Sequence, residues 1–164
     1  MSNVRPHLVQ DRFDKLLTKS VTLSSSSAIM PIDEIRLSVA FARLPNQAEV
    51  IPRLMALFNH GNMHVRRIVI NACRRAATFN VPGLREALTR KLSDPEAWVR
   101  YDAVWALQEA EYDSSEIRGC LDELSAGVVL PDDELRLSTR LGDAQLQARV
   151  RAKRALIALR AREA

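Results

Sequence analysis

A fourfold repeat constrains the fold of this chain more than any other feature of its sequence. Each copy has an apolar residue followed by Arg, then a small apolar residue and an Ala, each after two intervening positions. The copies begin at Ile35, Val65, Val99 and Ala148, so their starts are 30, 34 and 49 residues apart. Apolar residues spaced by three or four positions line one face of an α-helix. A period near 30 to 50 residues is typical of stacked helix pairs.

The composition supports an all-α fold. Long stretches rich in Ala, Leu, Arg and Glu contain few of the chain's five glycines, and no segment alternates apolar and polar residues long enough for a strand. Second helices are predicted at 47–58, 81–92 and 114–124, between the repeated segments. A single helical hairpin cannot bury its apolar stripe alone, so we expect the hairpins to stack.

The third copy identifies a family resemblance. Residues 92–100 read Leu-Ser-Asp-Pro-Glu-Ala-Trp-Val-Arg and are followed by Ala103, Ala106 and Leu107. This pattern resembles the HEAT-like repeat of the phycobilisome-lyase type, and the resemblance extends over about residues 31–164. It implies a short right-handed α-solenoid, in which Asp94 caps a helix and Arg100 faces neighbouring repeats. It also implies a lower-ranked function, helping to attach or handle a tetrapyrrole.

The other copies follow the family pattern less closely. Asp143 and Arg149 repeat the six-residue spacing, whereas His60 and Met30 occupy the Asp position in the second and first copies. We therefore expect an incomplete Asp/Arg ladder between repeats.

The predicted organisation is an N-terminal arm followed by a repeat domain. The arm, 1–28, contains an amphipathic piece at 12–19 and a serine run at 24–27 that is typical of flexible linkers. The domain, 29–164, has repeats at about 31–59, 62–93 and 94–126, an insertion at 127–142 and a terminal helix at 143–162. Residues 131–141 form either a degenerate repeat or a short helix in a loop, and Gly142-Asp143 favours the loop helix.

Motifs for catalysis are missing from the sequence. It contains no phosphate-binding glycine loop, no Gly-x-Ser-x-Gly elbow and no His-Glu-x-x-His pair, so we expect a protein that is not an enzyme and binds no cofactor or metal. His60 and His64 are interpreted as turn and cap residues, and Cys73 and Cys120 as buried free thiols. No apolar run reaches about 18 residues, and the start lacks the apolar core of a secretion signal, which predicts a cytoplasmic protein without a membrane span.

One predicted helix carries an unusual aromatic face. The stretch 94–107 begins with Asp94 as a cap and Pro95 at the first helical position, and Val99, Ala103 and Ala106 form its apolar stripe. Every Trp and Tyr of the chain lies on a second stripe, roughly opposite: Trp98, Tyr101, Trp105 and Tyr112. Acids are expected to surround it: Glu96, Asp102, Glu109, Glu111 and Asp113.

An exposed aromatic patch of this kind is typical of a protein interface. The sequence leaves two interpretations open. Either a partner protein or a second copy of the chain covers the patch, or the insertion or the N-terminal arm folds over it. Further partner contacts are predicted where the second helices point outward: Arg53, Arg85, Thr89 and Arg118.

Charge is uneven along the chain. Residues 64–91 contain seven Lys or Arg and one acid. Residues 92–135 contain two Lys or Arg and twelve acids, and residues 136–164 contain eight Lys or Arg and two acids. Either these blocks neutralise each other locally, or the basic helix faces bind an anion or nucleic acid. The residues predicted for such contacts are Arg66, Arg67, Arg74, Arg75, Arg151 and Arg154.

The acidic block would repel a duplex laid along the repeats, so nucleic acid is the alternative rather than the main prediction. The sequence predicts a non-catalytic protein-binding module, either an adaptor, an inhibitor or immunity-type protein, or a chaperone-like protein.

Overall fold

A computed structural model describes residues 6–26, 29–132 and 142–162 of the chain. Within those ranges it contains eight α-helices, one 3-10 turn at Lys91–Ser93 and no β-strand, which confirms the all-α prediction. The helices are α1 Pro6–Ser25, α2 Pro31–Ala42, α3 Gln47–Met55, α4 Met63–Ala76, α5 Leu84–Arg90, α6 Ala97–Glu109, α7 Ser115–Leu124 and α8 Ala144–Ala161. The predicted helix in the insertion falls mostly on residues 133–141, outside the described residues.

The chain forms two compact units, Met1–Leu84 and Arg85–Ala164. In the first unit α2 packs most extensively on α4, while α3 packs on α4 and α1 packs on both α2 and α4. The helix α1 is longer than the amphipathic piece expected from the sequence, because Val9, Phe13 and Ser20 all lie on its buried side. Phe13 meets Phe41 of α2 edge to face, with ring centroids 5.2 Å apart.

In the second unit α8 packs on both α6 and α7. The 3-10 turn packs against α6 and α7 as well. The repeated template supplies part of the core of this unit. Its small residues on α6 and α8 are buried: Val99, Ala103 and Ala106, and Ala148, Ala152 and Ala155. Small residues at buried positions suit closely packed helices, because larger side chains would not fit without displacing their neighbours.

The template also holds in α4, where Val65, Val69 and Ala72 have no exposed surface, but it fails in α2. There Ile35 is 46% exposed, and the buried side chains are instead Glu34, Leu37, Ser38 and Phe41. The larger Leu37 and Phe41 bury more apolar area than Val39 and Ala42 can. The helix is therefore oriented by these residues.

The start of α6 lies two residues later than predicted. Glu96, rather than Asp94, is the N-cap residue. Asp94 Oδ1 accepts a hydrogen bond from the Glu96 amide at 3.0 Å, which forms a tight turn before the helix, and Asp94 Oδ2 lies 3.2 Å from Lys91 Nζ. An Asp side chain often bonds the amide two residues on, and this local bond moves the helix start past Pro95.

His60 repeats the role of Asp94 in the second copy. Its Nδ1 accepts from the Asn62 amide at 3.1 Å, and Asn62 is the N-cap of α4, with its side chain accepting from the His64 amide. The turn histidine predicted from the sequence is therefore a structural equivalent of the aspartate.

The template arginines hold these same turns. Arg100 Nη1 donates to the carbonyls of Asp94 and Pro95 at 2.7 and 3.0 Å, and Arg66 Nη1 donates to those of His60 and Gly61 at 2.9 and 3.3 Å. In each case the two accepting carbonyls lie six and five residues before the arginine. Arg100 Nη2 also lies 3.4 Å from Gln145 Oε1. In the last copy Arg149 instead donates to the Ala126 carbonyl.

Ala77 ends α4 in the left-handed conformation, with φ of 50°. Glycine adopts this conformation without steric cost, so Ala77→Gly is expected to raise the free energy of unfolding by about 1 kcal/mol and Tm by roughly 2–4 °C. The adjacent Ala76 lies inside the helix, where glycine is unfavourable. Ala76→Gly is therefore expected to lower the free energy of unfolding by about 1 kcal/mol. Urea unfolding of both variants measures this difference, and a loss of stability in both would contradict the assignment.

Candidate functional site

Three aromatic side chains of α6 form a continuous array. The Trp98 and Tyr101 rings meet edge to face with centroids 5.6 Å apart, and the Tyr101 and Trp105 rings do so at 6.1 Å. Their spacing of three and four residues places them on one side of the helix, as the sequence predicts. All three side chains are half-buried. We call Trp98, Tyr101 and Trp105 the aromatic ladder.

Arg151 of α8 lies over this ladder. Its guanidinium carbon is 4.4 Å from the ring centroid of Tyr101 and 4.4 Å from that of Trp105. Arg151 Nη2 donates to the Tyr101 hydroxyl at 2.8 Å, and Nη1 donates to Gln108 Oε1 at 3.3 Å. Cation–π contacts contribute about 0.5–2 kcal/mol each, with more when they are desolvated. The guanidinium therefore fixes the ladder and covers part of it.

Helical periodicity could not reveal this contact. It joins residues 50 positions apart on different helices, and the sequence assigns Arg151 only to a basic stripe. The relevant signal is the presence of a long cation on a helix that packs against the aromatic one, and that packing becomes visible only in the fold.

Tyr112 does not share the face of the ladder, contrary to the prediction. Helix α6 ends at Glu109, and Glu111 follows with φ of 54°, so the chain turns before Tyr112. Tyr112 instead lines an apolar cavity of about 90 Å³ between α6, α7 and α8. Extending the helical pattern past its C-terminal turn caused this error.

The acids that the sequence predicts around the ladder are mostly exposed, with one exception. Glu96, Glu109, Glu111 and Asp113 are exposed, whereas Asp102 is buried and cannot form part of a solvated rim.

Ion pairs join the acidic segment to basic side chains. Arg160 of α8 lies 3.4 Å from Asp122, and Arg162, just after α8, lies 3.5 Å from Glu111. Arg118 donates two hydrogen bonds to the Asp113 carboxylate, at 2.7 and 2.6 Å, and these bonds lower the pKa of Asp113. These pairs support local neutralisation of the charge blocks.

Arg53 is also engaged within the protein. Its guanidinium lies 3.7 Å from the centroid of the Phe13 ring, and Nη2 is 2.9 Å from Asp14 Oδ1. A partner that binds at this predicted contact would therefore find Arg53 already stacked on Phe13 and paired with Asp14.

Two further predicted contacts lie on α5. Arg85 is exposed and its Nη2 lies 2.8 Å from Glu86 Oε1. The pKa of Glu86 is lowered by a hydrogen bond from its own amide and then by Arg85. The prediction that Thr89 points outward is wrong: it is 4% exposed, and its hydroxyl donates to the Arg85 carbonyl at 2.8 Å. Helical threonines often bond this carbonyl four residues back.

The basic face predicted on α4 is only partly present. Arg66 and Arg74 are 7% and 6% exposed, so their predicted outward orientation is wrong. Arg67 Nη1 lies 2.6 Å from Glu34 Oε2, and Arg75 is exposed. Because α4 packs against α1, α2 and α3, it has less open surface than a two-layer hairpin would give it.

The other predicted polar residues have structural partners. His64 Nδ1 lies 2.5 Å from Glu34 Oε1, on the same carboxylate that Arg67 reaches. Within the described ranges no three side chains of His, Cys, Asp or Glu are placed to hold a metal ion. None of the helices in these ranges is both long and apolar enough to cross a membrane.

No family model, curated protein or solved structure matches this chain. The assignment to HEAT-like repeats therefore stays a prediction from the residues that carry the resemblance.

The two cysteines differ in accessibility, and this difference predicts their reactivity. Burial raises the pKa of the Cys73 thiol, which has no exposed surface. The pKa of Cys120, which is half-buried, is raised by desolvation and then by Glu123 and Glu116. In native protein at pH 8, iodoacetamide is expected to label Cys120 slowly and to leave Cys73 unmodified, because only the thiolate reacts.

Peptide mass mapping of the alkylated protein measures both rates. The labelling rate of Cys120 is expected to keep rising with pH beyond the ordinary thiol pKa of about 8.5. Denatured protein, the control, should label at both positions. Equal labelling of both cysteines in native protein would contradict the burial of Cys73.

Proposed function

We propose that this protein is a non-catalytic protein-binding module, an adaptor, inhibitor or chaperone-like protein built from HEAT-like hairpins stacked as a short solenoid. The observation that carries this proposal is the aromatic ladder, which is partly exposed and held in place by Arg151. The partner is another protein or a second copy of this chain.

The ladder has the properties of a binding hot spot. Tryptophan and tyrosine dominate the energetics of protein interfaces, since each buries a large area with few rotatable bonds. The edge-to-face contacts and the stacked guanidinium already restrict these rings, so little further conformational entropy is lost on binding. A structured aromatic surface therefore favours recognition of a partner over a purely internal role.

The packing within each unit is compatible with stacked hairpins. In the first unit α2 packs on α4, and in the second α6 packs on α8, so each pair joins the first helices of consecutive predicted repeats. The buried template alanines support the same arrangement.

Nucleic-acid binding is less well supported. It requires several free cationic side chains on one face, and Arg66 and Arg74 are buried while Arg67 pairs with Glu34. The acids exposed on the second unit would also oppose a polyanion.

Affinity capture from the native cell tests the proposal when it compares matched variants. Tagged full-length protein is expected to retain a partner that Trp98→Ala loses at least tenfold, because truncating an interface hot spot costs 2 kcal/mol or more. The control is Ile157→Ala, which shortens an apolar side chain that is 49% exposed on α8, outside the ladder. Light scattering of the same proteins identifies a dimer if the partner is a second copy.

Circular dichroism at 222 nm checks that each variant is folded, and Trp98→Gln replaces Trp98→Ala if the latter unfolds. Equal capture by all the proteins, together with an unchanged molar mass, would contradict the proposal.

A further inference from the structure

Helix α2 carries an apolar side that is open to solvent. Ile32 and Ile35 are 47% and 46% exposed, while Val39 and Ala42 are half-buried. These positions are spaced by three, four and three residues, so they lie along one side of the helix. We call Ile32, Ile35, Val39 and Ala42 the α2 stripe.

The other copies of the template bury the positions that are equivalent to this stripe. Val65, Val69 and Ala72 of α4 have no exposed surface, and the template residues of α6 and α8 are buried as well. The first copy therefore keeps the apolar residues that the other copies use for packing, but leaves them in contact with water. An apolar side of this kind is typical of an interaction surface.

The template arginine of α2 differs from the others in the same way. Arg66, Arg100 and Arg149 donate to backbone carbonyls. Arg36 is exposed, and it makes no hydrogen bond or ion pair with any residue that the structure describes. Arg43, the C-cap residue seven positions later, is also exposed and lies on the same edge of the α2 stripe. This edge is therefore positively charged.

The acids of α2 are engaged elsewhere. Asp33 Oδ2 accepts a hydrogen bond from the Met30 amide at 3.2 Å. Glu34 is buried and pairs with His64 and Arg67 on the side of the helix that faces α4. The α2 stripe thus presents apolar side chains with a basic edge.

Charge complementarity favours one kind of partner for this surface. An antiparallel pairing of α2 with a second copy would bring the same edge of both helices together, so Arg36 would face its own copy, and like charges across an interface are unfavourable. Helices that bind membrane surfaces insert bulkier side chains than Val39 and Ala42. An amphipathic helix with acids along one edge matches both the stripe and its arginines.

We infer that the α2 stripe binds an amphipathic helix of a partner protein, whose acidic edge lies against Arg36 and Arg43. Burial of Ile32 and Ile35 supplies most of the affinity, and the arginines set the preference for acids. The α2 stripe belongs to the first unit and shares no residue with the aromatic ladder. The inference therefore goes beyond the function proposed above.

Isothermal titration calorimetry of the full-length protein with two helical peptides tests this inference. The acidic probe is acetyl-Glu-Leu-Ala-Glu-Leu-Leu-Ala-Glu-Leu-Ala-Glu-Leu-Leu-Ala-amide, and the basic probe has Lys in place of each Glu. Both are titrated at the same low ionic strength, where exposed charges are screened least. The acidic peptide is expected to bind with a Kd at least tenfold lower than that of the basic peptide.

Two pairs of variants locate the binding of the acidic peptide. Ile35→Gln is expected to raise the Kd at least fivefold, because it removes apolar area that the bound helix buries. Its matched control, Ile157→Gln, changes a side chain that is 49% exposed on α8. Arg36→Gln is expected to raise the Kd about threefold, the effect of one exposed charge pair. Its matched control is Arg160→Gln on α8, and both controls are expected to leave the Kd unchanged.

Circular dichroism checks that each variant is folded, and the arginine pair decides the test if Ile35→Gln is not. Absent or equal binding of the two peptides, or an equal loss in a variant and its control, would overturn the inference. Tighter binding to phosphatidylglycerol vesicles than to the acidic peptide would also overturn it. So would a dimer, detected by light scattering, that Ile35→Gln dissociates.

The test is separable from that of the proposed function. If the acidic peptide fails while Trp98 still governs partner capture, the inference about the α2 stripe is wrong and the proposed function stands. If the acidic peptide binds as expected while Trp98→Ala leaves capture unchanged, the α2 stripe stands and the role of the aromatic ladder is wrong.

Discussion

The close packing of α6 against α8 is the contact on which the candidate site depends. Neither helix can bury its apolar stripe alone, and Val104, Leu107 and Gln108 of α6 lie beside Ala155 and Leu159 of α8. This packing brings Arg151 of α8 within reach of Tyr101 and Trp105 on α6. A small pocket beside them is lined by residues of both helices. The packing of α6 on α8 thus determines where the aromatic and cationic side chains meet, and the function that we propose follows from that meeting.

The sequence predicts much of this fold because helical periodicity is a local property. The boundaries of α7 and α8 agree with the prediction within one residue, since Ser114 and Asp143 cap their helices with side-chain hydrogen bonds. The template positions of α4, α6 and α8 are buried for the same reason. Local competition explains the errors: Asp94 bonds its own turn and delays α6, and Leu37 and Phe41 reorient α2. In α6 a side-chain hydrogen bond to the backbone shifts the helix start. In α2 larger apolar residues occupy the buried positions instead of the template residues.

The site is harder to predict because it combines residues that are far apart in the chain. Spacing alone groups Trp98, Tyr101 and Trp105, but it cannot show that a guanidinium 50 positions from Tyr101 stacks on Tyr101 and Trp105. Counting charges along the sequence has the same limit, because it does not show which side chains are buried. It groups four arginines of α4 as one face, although two of them are buried and Arg66 serves to hold the turn before its own helix. Several arginines of the described residues therefore serve structural bonds within a unit, as Arg66, Arg100 and Arg118 do.

A double-mutant cycle between Arg151 and Trp105 tests the central claim, that the guanidinium fixes the aromatic ladder. The four proteins are the natural chain, Arg151→Met, Trp105→Leu and the double variant, and urea unfolding gives the free energy of each. Each substitution places an apolar side chain at its position and removes the guanidinium or the indole ring. The coupling free energy therefore isolates the contact between the two residues. The account predicts a favourable coupling of about 0.5–2 kcal/mol. A coupling within about 0.3 kcal/mol of zero, the range expected for independent sites, would contradict it.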